Sequence, residues 1–323
     1  MTSATFSTAE QLAAIARLRY RPVRIDAGVE FSAGDHVYSW QGWNPPSVTR
    51  ILSATGVSAF DPTFWLRSLQ TRGIKPEQAE QWIEDLHWDG HNRAAVSEWV
   101  NQFVGAPMST DDATVYMEWR RDSAAARGSR IHARIQHFFT GEQDAIPGLM
   151  TDKTLLARDS GWFDAFLRFF RNAEFHEVIA VEQPMINTVG VFCGTVDMAA
   201  SVTIPELGDT GPVRRVLDWK TLYPPTGRVK GKPWQAMQMA AYGATLNRLA
   251  AAGITEAVNI HLFPGGYQLS RFNMADLAEA WRSYLGFLWE YWSERRAMGL
   301  MYHSPAMAAQ ALEGMAREWG PFE

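Results

Sequence analysis

Arg214-Arg215-Val216-Leu217-Asp218-Trp219-Lys220-Thr221 reads as a short buried strand, and its last four residues place an acid and a lysine two positions apart. Side chains two apart on a strand project from the same face. A carboxylate so placed can hold a divalent cation, while the ammonium beside it orients a water or steadies charge on a phosphate oxygen. An acid and a lysine flanking one residue more often form a strand-edge ion pair, so the neighbouring segments decide what the triplet means.

Upstream, Gly194-Thr195-Val196-Asp197 follows the apolar stretch Val189-Gly190-Val191-Phe192, so a second carboxylate, Asp197, ends a strand that can pair with the one carrying Asp218. Downstream, Gln235, Gln238 and Tyr242 fall along one face of an Ala- and Met-rich helix. Farther upstream, Arg127-Gly128-Ser129-Arg130-Ile131-His132 opens another helix whose apolar stripe is Ile131, Ile135, Phe138 and Phe139. His132 sits beside that stripe, where a lone histidine is ordinarily a satisfied core residue.

The order of these pieces resembles the RecB-type branch of the PD-(D/E)XK nucleases. In that branch a helix-borne Gly…His is followed by a Glu strand, Gly-x-x-Asp, Asp-x-Lys-Thr and a helical Gln-x-x-x-Tyr. The matching stations here are Gly128…His132, Glu182, Gly194 to Asp197, Asp218 to Thr221, and Gln238 to Tyr242. Pro46-Ser47-Val48-Thr49-Arg50-Ile51-Leu52 is similar to the opening segment of phage-type members and of mitochondrial genome maintenance exonucleases. The resemblance spans residues 36 to 295 and is strongest between 127 and 242.

It implies an α/β, restriction-endonuclease-like core with a central mixed sheet flanked by helices, behind a mainly helical N-terminal accessory region. It also implies Mg2+ or Mn2+ held by His132, Asp197, Asp218 and the backbone carbonyl of Trp219; an imidazole ligand tilts such a site toward Mn2+. Glu182 is expected in the outer shell or as a strand-end charge, and Thr221 as support for strand geometry. Lys220 would position water or neutralise the scissile phosphate, with Gln238 and Tyr242 steadying it from the far wall. The expected activity is exonucleolytic cleavage of single-stranded DNA or DNA ends in phage or bacterial recombination, repair or replication, alongside a recombination or replication protein as partner. A structure-selective endonuclease and a non-catalytic DNA-end-binding module are the alternatives. Retention of Asp197, Asp218, Lys220 and His132 favours an enzyme, and the eight histidines lack the clustered spacing of a two-metal hydrolase of small phosphoesters.

Composition is compatible with this reading. The chain has 323 residues, 46% of them hydrophobic and 20% charged, which suits a soluble protein with a sizeable core. No apolar run approaches the ~18 residues of a membrane span, and no secretory apolar core opens the chain, so a cytoplasmic setting in a bacterial or phage-infected cell is expected. Arg17, Arg19, Arg21 and Arg24 only faintly suggest a transit peptide. The single cysteine, Cys193, excludes an internal disulfide and a four-cysteine zinc or iron-sulfur site, and reads as a small buried hydrophobe. A net charge of -5 argues against nonspecific coating of nucleic acid. Local basic clusters remain: Arg120, Arg121, Arg127, Arg130 and Arg134 near His132, and Arg228, Lys230 and Lys232 in a Gly/Pro-rich, mobile loop. Arg127, Arg130, Arg228, Lys230, Lys232 and Gln235 are the candidate DNA contacts.

Along the chain, residues 1–125 form the accessory region, 126–300 the nuclease core and 301–323 a tail. The first 35 residues read as a short helix with Leu12, Ile15, Ala16 and Leu18, then an irregular or extended connection. A strand follows at 36–43, and Ser47 is placed to cap a helix from Val48. Residues 61–125 read as helices whose tryptophans, Trp65, Trp82, Trp88, Trp99 and Trp119, fill a core rather than stack on bases. Trp162, Phe163, Phe166, Phe169 and Phe170 form a packing stripe on a later helix. Strands are expected at Glu177–Pro184, Val189–Val202, Val213–Leu222, Ala257–Phe263 and Tyr267–Phe272, with helices at Trp234–Ala251 and 274–298.

Overall fold

The computed structural model describes residues 19–20, 28–32, 37–57, 63–88, 92–141, 153–223, 225, 227–298 and 305–315. The helix expected around Leu12 to Leu18, Arg17, Arg21, Arg24 and most of the tail lie outside the described residues, as do the side chains of Trp65 and Trp88. The chain divides into two compact units, one drawn from 1–59, 135–143 and 161–323, the other from 60–134 and 144–160. Segment 1–59, expected in the accessory region, is therefore counted with the sheet. Its helix α1, Val48–Ala54, explains why: Val48, Ile51 and Leu52 are fully buried in the hydrophobic core of that unit.

The sheet unit is α/β. Its mixed sheet has the order β1-β4-β5-β6-β7-β8, made of Arg19–Tyr20, Glu174–Asn187, Phe192–Thr203, Val213–Thr221, Glu256–Phe263 and Gly266–Phe272. A separate hairpin pairs β2, Val29–Ser32, with β3, Val37–Trp40. β4, β5 and β6 run antiparallel in succession, whereas β6 and β7 are parallel. A parallel pair needs a crossover, supplied by the helix Pro233–Ala250.

Alternation along β6 sorts its side chains into two layers. Val216 joins the core built with Pro233–Ala250, while Trp219 turns to the other face and meets Phe166 and Phe169 at 5.5 and 5.9 Å between ring centroids. Those phenylalanines belong to the helix Ser160–Asn172, whose buried Trp162, Ala165, Phe166, Phe169 and Phe170 recur at helical spacing. The crossover helix can lie close on the sheet because its buried face is largely alanine: Ala236, Ala240, Ala241 and Ala244. Helices Met274–Met298 and Pro305–Met315 complete that layer through Leu277, Tyr284, Leu288, Ala311 and Leu312.

At the start of β6, Arg215 is fully buried. Its guanidinium donates to Glu256 at 2.8 and 2.6 Å, to Asp209 at 2.5 and 2.8 Å, and to the Val202 carbonyl at 3.1 Å. These engage all three nitrogens of a group with five N–H donors. Arg271 adds a second cation on Glu256.

The other unit is helical. In chain order its helices are α2 Thr63–Arg72, α3 Pro76–Trp88, α4 Arg93–Gln102, part of α5 Thr110–Thr140, and α6 Lys153–Arg158. The remaining helices are then α7 Ser160–Asn172, α8 Pro233–Ala250, α9 Met274–Met298 and α10 Pro305–Met315. Leu69, Ile74, Trp82, Ile83, Val96, Val100 and Tyr116 form the helical unit's core, with Trp82 stacked on Tyr116 at 3.9 Å. Trp99 and Trp119 pack against the same cluster, as expected of core tryptophans. Gly73 ends α2 with φ +66°, and a Cβ there would stand 2.0 Å from the Ala106 carbonyl oxygen. Among the described residues no helix is long and apolar enough to cross a membrane.

Candidate metal centre

The antiparallel ladder between β5 and β6 ends at the pair Met198 and Leu217. One step beyond, the Trp219 N–H donates to the Asp197 carboxylate at 2.9 Å instead of to a strand carbonyl. A side chain thus fills the place of a ladder bond just where the two strands carry their acids. On β4, Glu182 lies between the paired residues Val181 and Gln183 yet has φ +43°. A non-glycine residue held there stores about 1–3 kcal/mol of backbone strain, and such strain collects at functional positions.

His132, Glu182 and Asp197 each offer one ligand atom, and these atoms all lie within 4.8 Å of one another. His132 comes from α5, a single continuous helix that contributes residues to both units. Asp197 is buried, and the other two are half-buried. One imidazole nitrogen and two carboxylates form a donor set suited to a divalent metal ion such as Mn2+ or Mg2+. Glu182, expected in an outer shell, stands in this group. Asp218 is not one of the three; its carboxylate oxygens lie 2.9 and 2.8 Å from Lys220 Nζ.

Lys220 keeps about a quarter of its side chain exposed, while Asp218 is almost wholly buried. Burial works against the ammonium, but Asp218, Asp197 and Glu182 outweigh it and raise the lysine pKa above its ordinary value. Above the strand, Gln238 Nε2 donates to Tyr242 Oη at 3.1 Å, so the two expected partners on α8 bond each other. Burial keeps the Tyr242 phenol neutral, its pKa well above the usual value. Its ring needs Gly194: a Cβ at that position would be 2.4 Å from Tyr242 Cε1.

Neither the family models nor the curated proteins searched include a match to this chain. The chemistry of the site is what speaks to function.

Three residues of the site neighbourhood were not singled out from the sequence. Tyr38, on β3, meets Thr195 Oγ1 at 2.9 Å, and burial, helped by the charges of Glu182 and Asp197, pushes its phenol up to about 12. Nothing in the local alternation of 36–43 tells onto which strand that hairpin docks. Asn259 and His261 on β7 are register partners of Asp218 and Lys220. Paired residues on adjacent strands share a face. Asn259 is fully buried, and neither of its amide atoms has a hydrogen-bond partner among the described residues. His261 Nε2 pairs with Ser270 Oγ at 3.0 Å, and burial lowers its pKa to about 4, so the ring is neutral. The signal was present as polar residues at alternate positions of an otherwise apolar strand.

The basic residues sort differently from expectation. Arg127 and Arg130 are 4% and 8% exposed, which leaves them little surface for DNA. The fully buried Asp159 needs a countercharge, and Arg130 supplies it bidentately at 2.6 and 3.1 Å. Gln235 Oε1 accepts from the Lys232 N–H at 2.8 Å, fastening the first turn of α8. Arg228, Lys230 and Lys232 are exposed, but their loop is tied to β8: Val229 N–H donates to Gln268 Oε1 at 2.7 Å, and Gln268 Nε2 to the Gly227 carbonyl at 3.1 Å. Those bonds fasten residues 227–229 to β8. Cys193 is a buried free thiol, pushed up to about 12 by burial, and so a poor nucleophile.

Proposed function

We propose that this chain is a metal-dependent deoxyribonuclease of the RecB-type PD-(D/E)XK kind. The observation that carries the reading is the His132, Glu182 and Asp197 group standing beside a lysine held by a buried aspartate. These three residues would hold Mg2+ or Mn2+, with Asp218 close enough in the same acidic region to feel the charge. The chemistry supplied by a bound cation is acidification of a water and stabilisation of charge on phosphate oxygens.

The protein's own groups account for the rest. Lys220 stays an ammonium across the neutral range, since its pKa is raised. It has three donors, and those not facing Asp218 are available to an attacking water or a phosphate oxygen. Asp218 orients that ammonium rather than leaving a flexible lysine to find the phosphate. The neutral Tyr242, fixed by Gln238, bounds the cleft without adding charge. DNA is the preferred substrate class and an exonuclease the preferred mode, both on the resemblance of the motif order and of Pro46 to Leu52.

The test is incubation of purified protein with end-labelled single-stranded, duplex and circular DNA, with Mn2+, with Mg2+ and with neither. Metal-dependent shortening of linear substrates, absent from Asp218→Ala, is the expected result. Digestion of circles would overturn the exonuclease mode. Inertness toward every substrate, with wild type and Asp218→Ala indistinguishable, would overturn the enzyme itself.

A further inference from the structure

The outer edge of the sheet, beyond the site, carries an open cleft of about 760 Å³ lined by Arg168, Arg171, Arg228, Glu206, Tyr267 and Gln268, among others. Arg168 and Arg171 are three apart on α7 and both exposed, so they share a helical face. Arg228 comes from the loop that follows β6. Three guanidiniums against one carboxylate leave this cleft positive on a chain whose net charge is -5.

The one acid in the lining is already engaged. Glu206 accepts from the Tyr267 hydroxyl and from Asn172 Nδ2 at 3.3 Å. Neither Arg168 nor Arg228 has a carboxylate partner among the described residues; Arg168 gives one donor to the Gly265 carbonyl at 2.7 Å, which orients the group and leaves its other donors open. Arg228 is held in place through its neighbours, since Gly227 and Val229 are both bonded to Gln268. Burial and Glu206 push the Tyr267 phenol up to about 12, so it adds no negative charge. The cleft therefore offers anchored, unneutralised guanidinium forks, the geometry that takes phosphate oxygens.

Its place in the sheet suggests what bears those phosphates. Lys220 pairs with His261, and His261 pairs with Gln268 in the cleft wall. Two strand spacings, about 10 Å, separate Lys220 from Gln268, while the neighbouring Tyr267 packs on Phe169 of α7 on the opposite face, so the cleft wraps the edge of the sheet with Arg228 on the Gln268 side and Arg168 on the α7 side. A DNA strand carries one charge per nucleotide along its backbone, so a strand that reaches Lys220 can set a neighbouring phosphate against the cleft. We propose that this cleft binds the sugar-phosphate backbone of a single DNA strand running to or from the Lys220 end of β6. The proposal rests on the nuclease reading for its ligand, and its test is independent of cleavage.

Fluorescence anisotropy of a labelled 30-nucleotide strand, titrated with the full chain in EDTA across a range of salt, reads phosphate binding directly. Removing one arginine–phosphate pairing lowers the slope of log affinity against log salt by about 0.7 for a single strand. Arg228→Gln and Arg168→Gln are each expected to lower it by one such step, and the two together by about two. Arg282→Gln, at an exposed arginine on α9, removes the same charge elsewhere and should leave the slope unchanged. Arg228 lies on a surface loop, so its variant keeps the test decisive if the helix variants misfold. Equal slopes for wild type and Arg228→Gln would overturn the proposal. So would displacement of the strand by millimolar inorganic phosphate or a mononucleotide, which would make the cleft a free-phosphate site. A lowered slope in a chain that cleaves nothing would defeat the nuclease reading and leave this inference standing; cleavage with unchanged slopes would do the reverse.

Discussion

The two ends of β6 bury charge in opposite ways. Arg215, near its start, is fully enclosed, and its guanidinium is engaged by Asp209, Glu256 and the Val202 carbonyl. Lys220, near its end, is held by one buried carboxylate and remains a quarter exposed, with His132, Glu182 and Asp197 grouped nearby. At the first end every donor direction is met by protein, so the cluster is inert and fixes strand register. At the second, the Lys220 ammonium gives Asp218 only part of its donor capacity, and beside it Asn259 has no hydrogen-bond partner among the described residues. Charge burial alone does not mark a functional site; a charge left partly open to solvent beside grouped ligand atoms is the stronger mark.

The largest effect should come from breaking the closed end. Arg215→Met takes the countercharge from the buried Asp209 and leaves Glu256 with Arg271 alone, and urea unfolding should show a loss of about 3–5 kcal/mol. At the open end the cost should fall on turnover instead. Lys220→Ala is expected to slow metal-dependent DNA cleavage by about 10²–10³-fold, as removal of one stabilising donor does elsewhere. Its stability loss should be smaller than that of Arg215→Met, because water can reach Asp218 through the exposed lysine position. A stability loss as large as that of Arg215→Met would erase the distinction between the two ends.

Acid should also separate them. His261 has its folded pKa lowered to about 4 from 6.5, so the unfolded chain binds the proton first as pH falls. Its contribution is complete above pH 6.5 and is lost between 6.5 and 4, amounting to roughly 3 kcal/mol. His261→Gln should flatten that part of the stability profile measured by urea unfolding; an unchanged profile would place the acid sensitivity elsewhere.

Much of this was legible in the sequence because period and punctuation are local. The strand expected at Val213–Leu222 is Val213–Thr221, and the helix expected at Trp234–Ala251 is Pro233–Ala250. Ser47 caps its helix as read, accepting from the Arg50 N–H at 3.1 Å. What escaped was set by register and by distant packing. That Glu182 stands with His132 goes with a left-handed backbone at Glu182, and Asp218 is met by Lys220 from its own strand. The backbone conformation at Glu182 leaves no trace in residue spacing. Arg130 looked like a surface cation because its partner, Asp159, is far along the chain. Tyr38 was invisible for the same reason.

Glu182 has a further consequence. Its left-handed backbone is a conformation glycine adopts freely, whereas a side chain resists it. The strain there, about 1–3 kcal/mol, is comparable to or larger than the ~0.5–1 kcal/mol of chain entropy that glycine would add. Glu182→Gly should therefore hold or slightly raise the unfolding midpoint while abolishing metal-dependent cleavage. The position would then behave as a trade-off written into one residue: the protein becomes sturdier by giving up what makes it reactive.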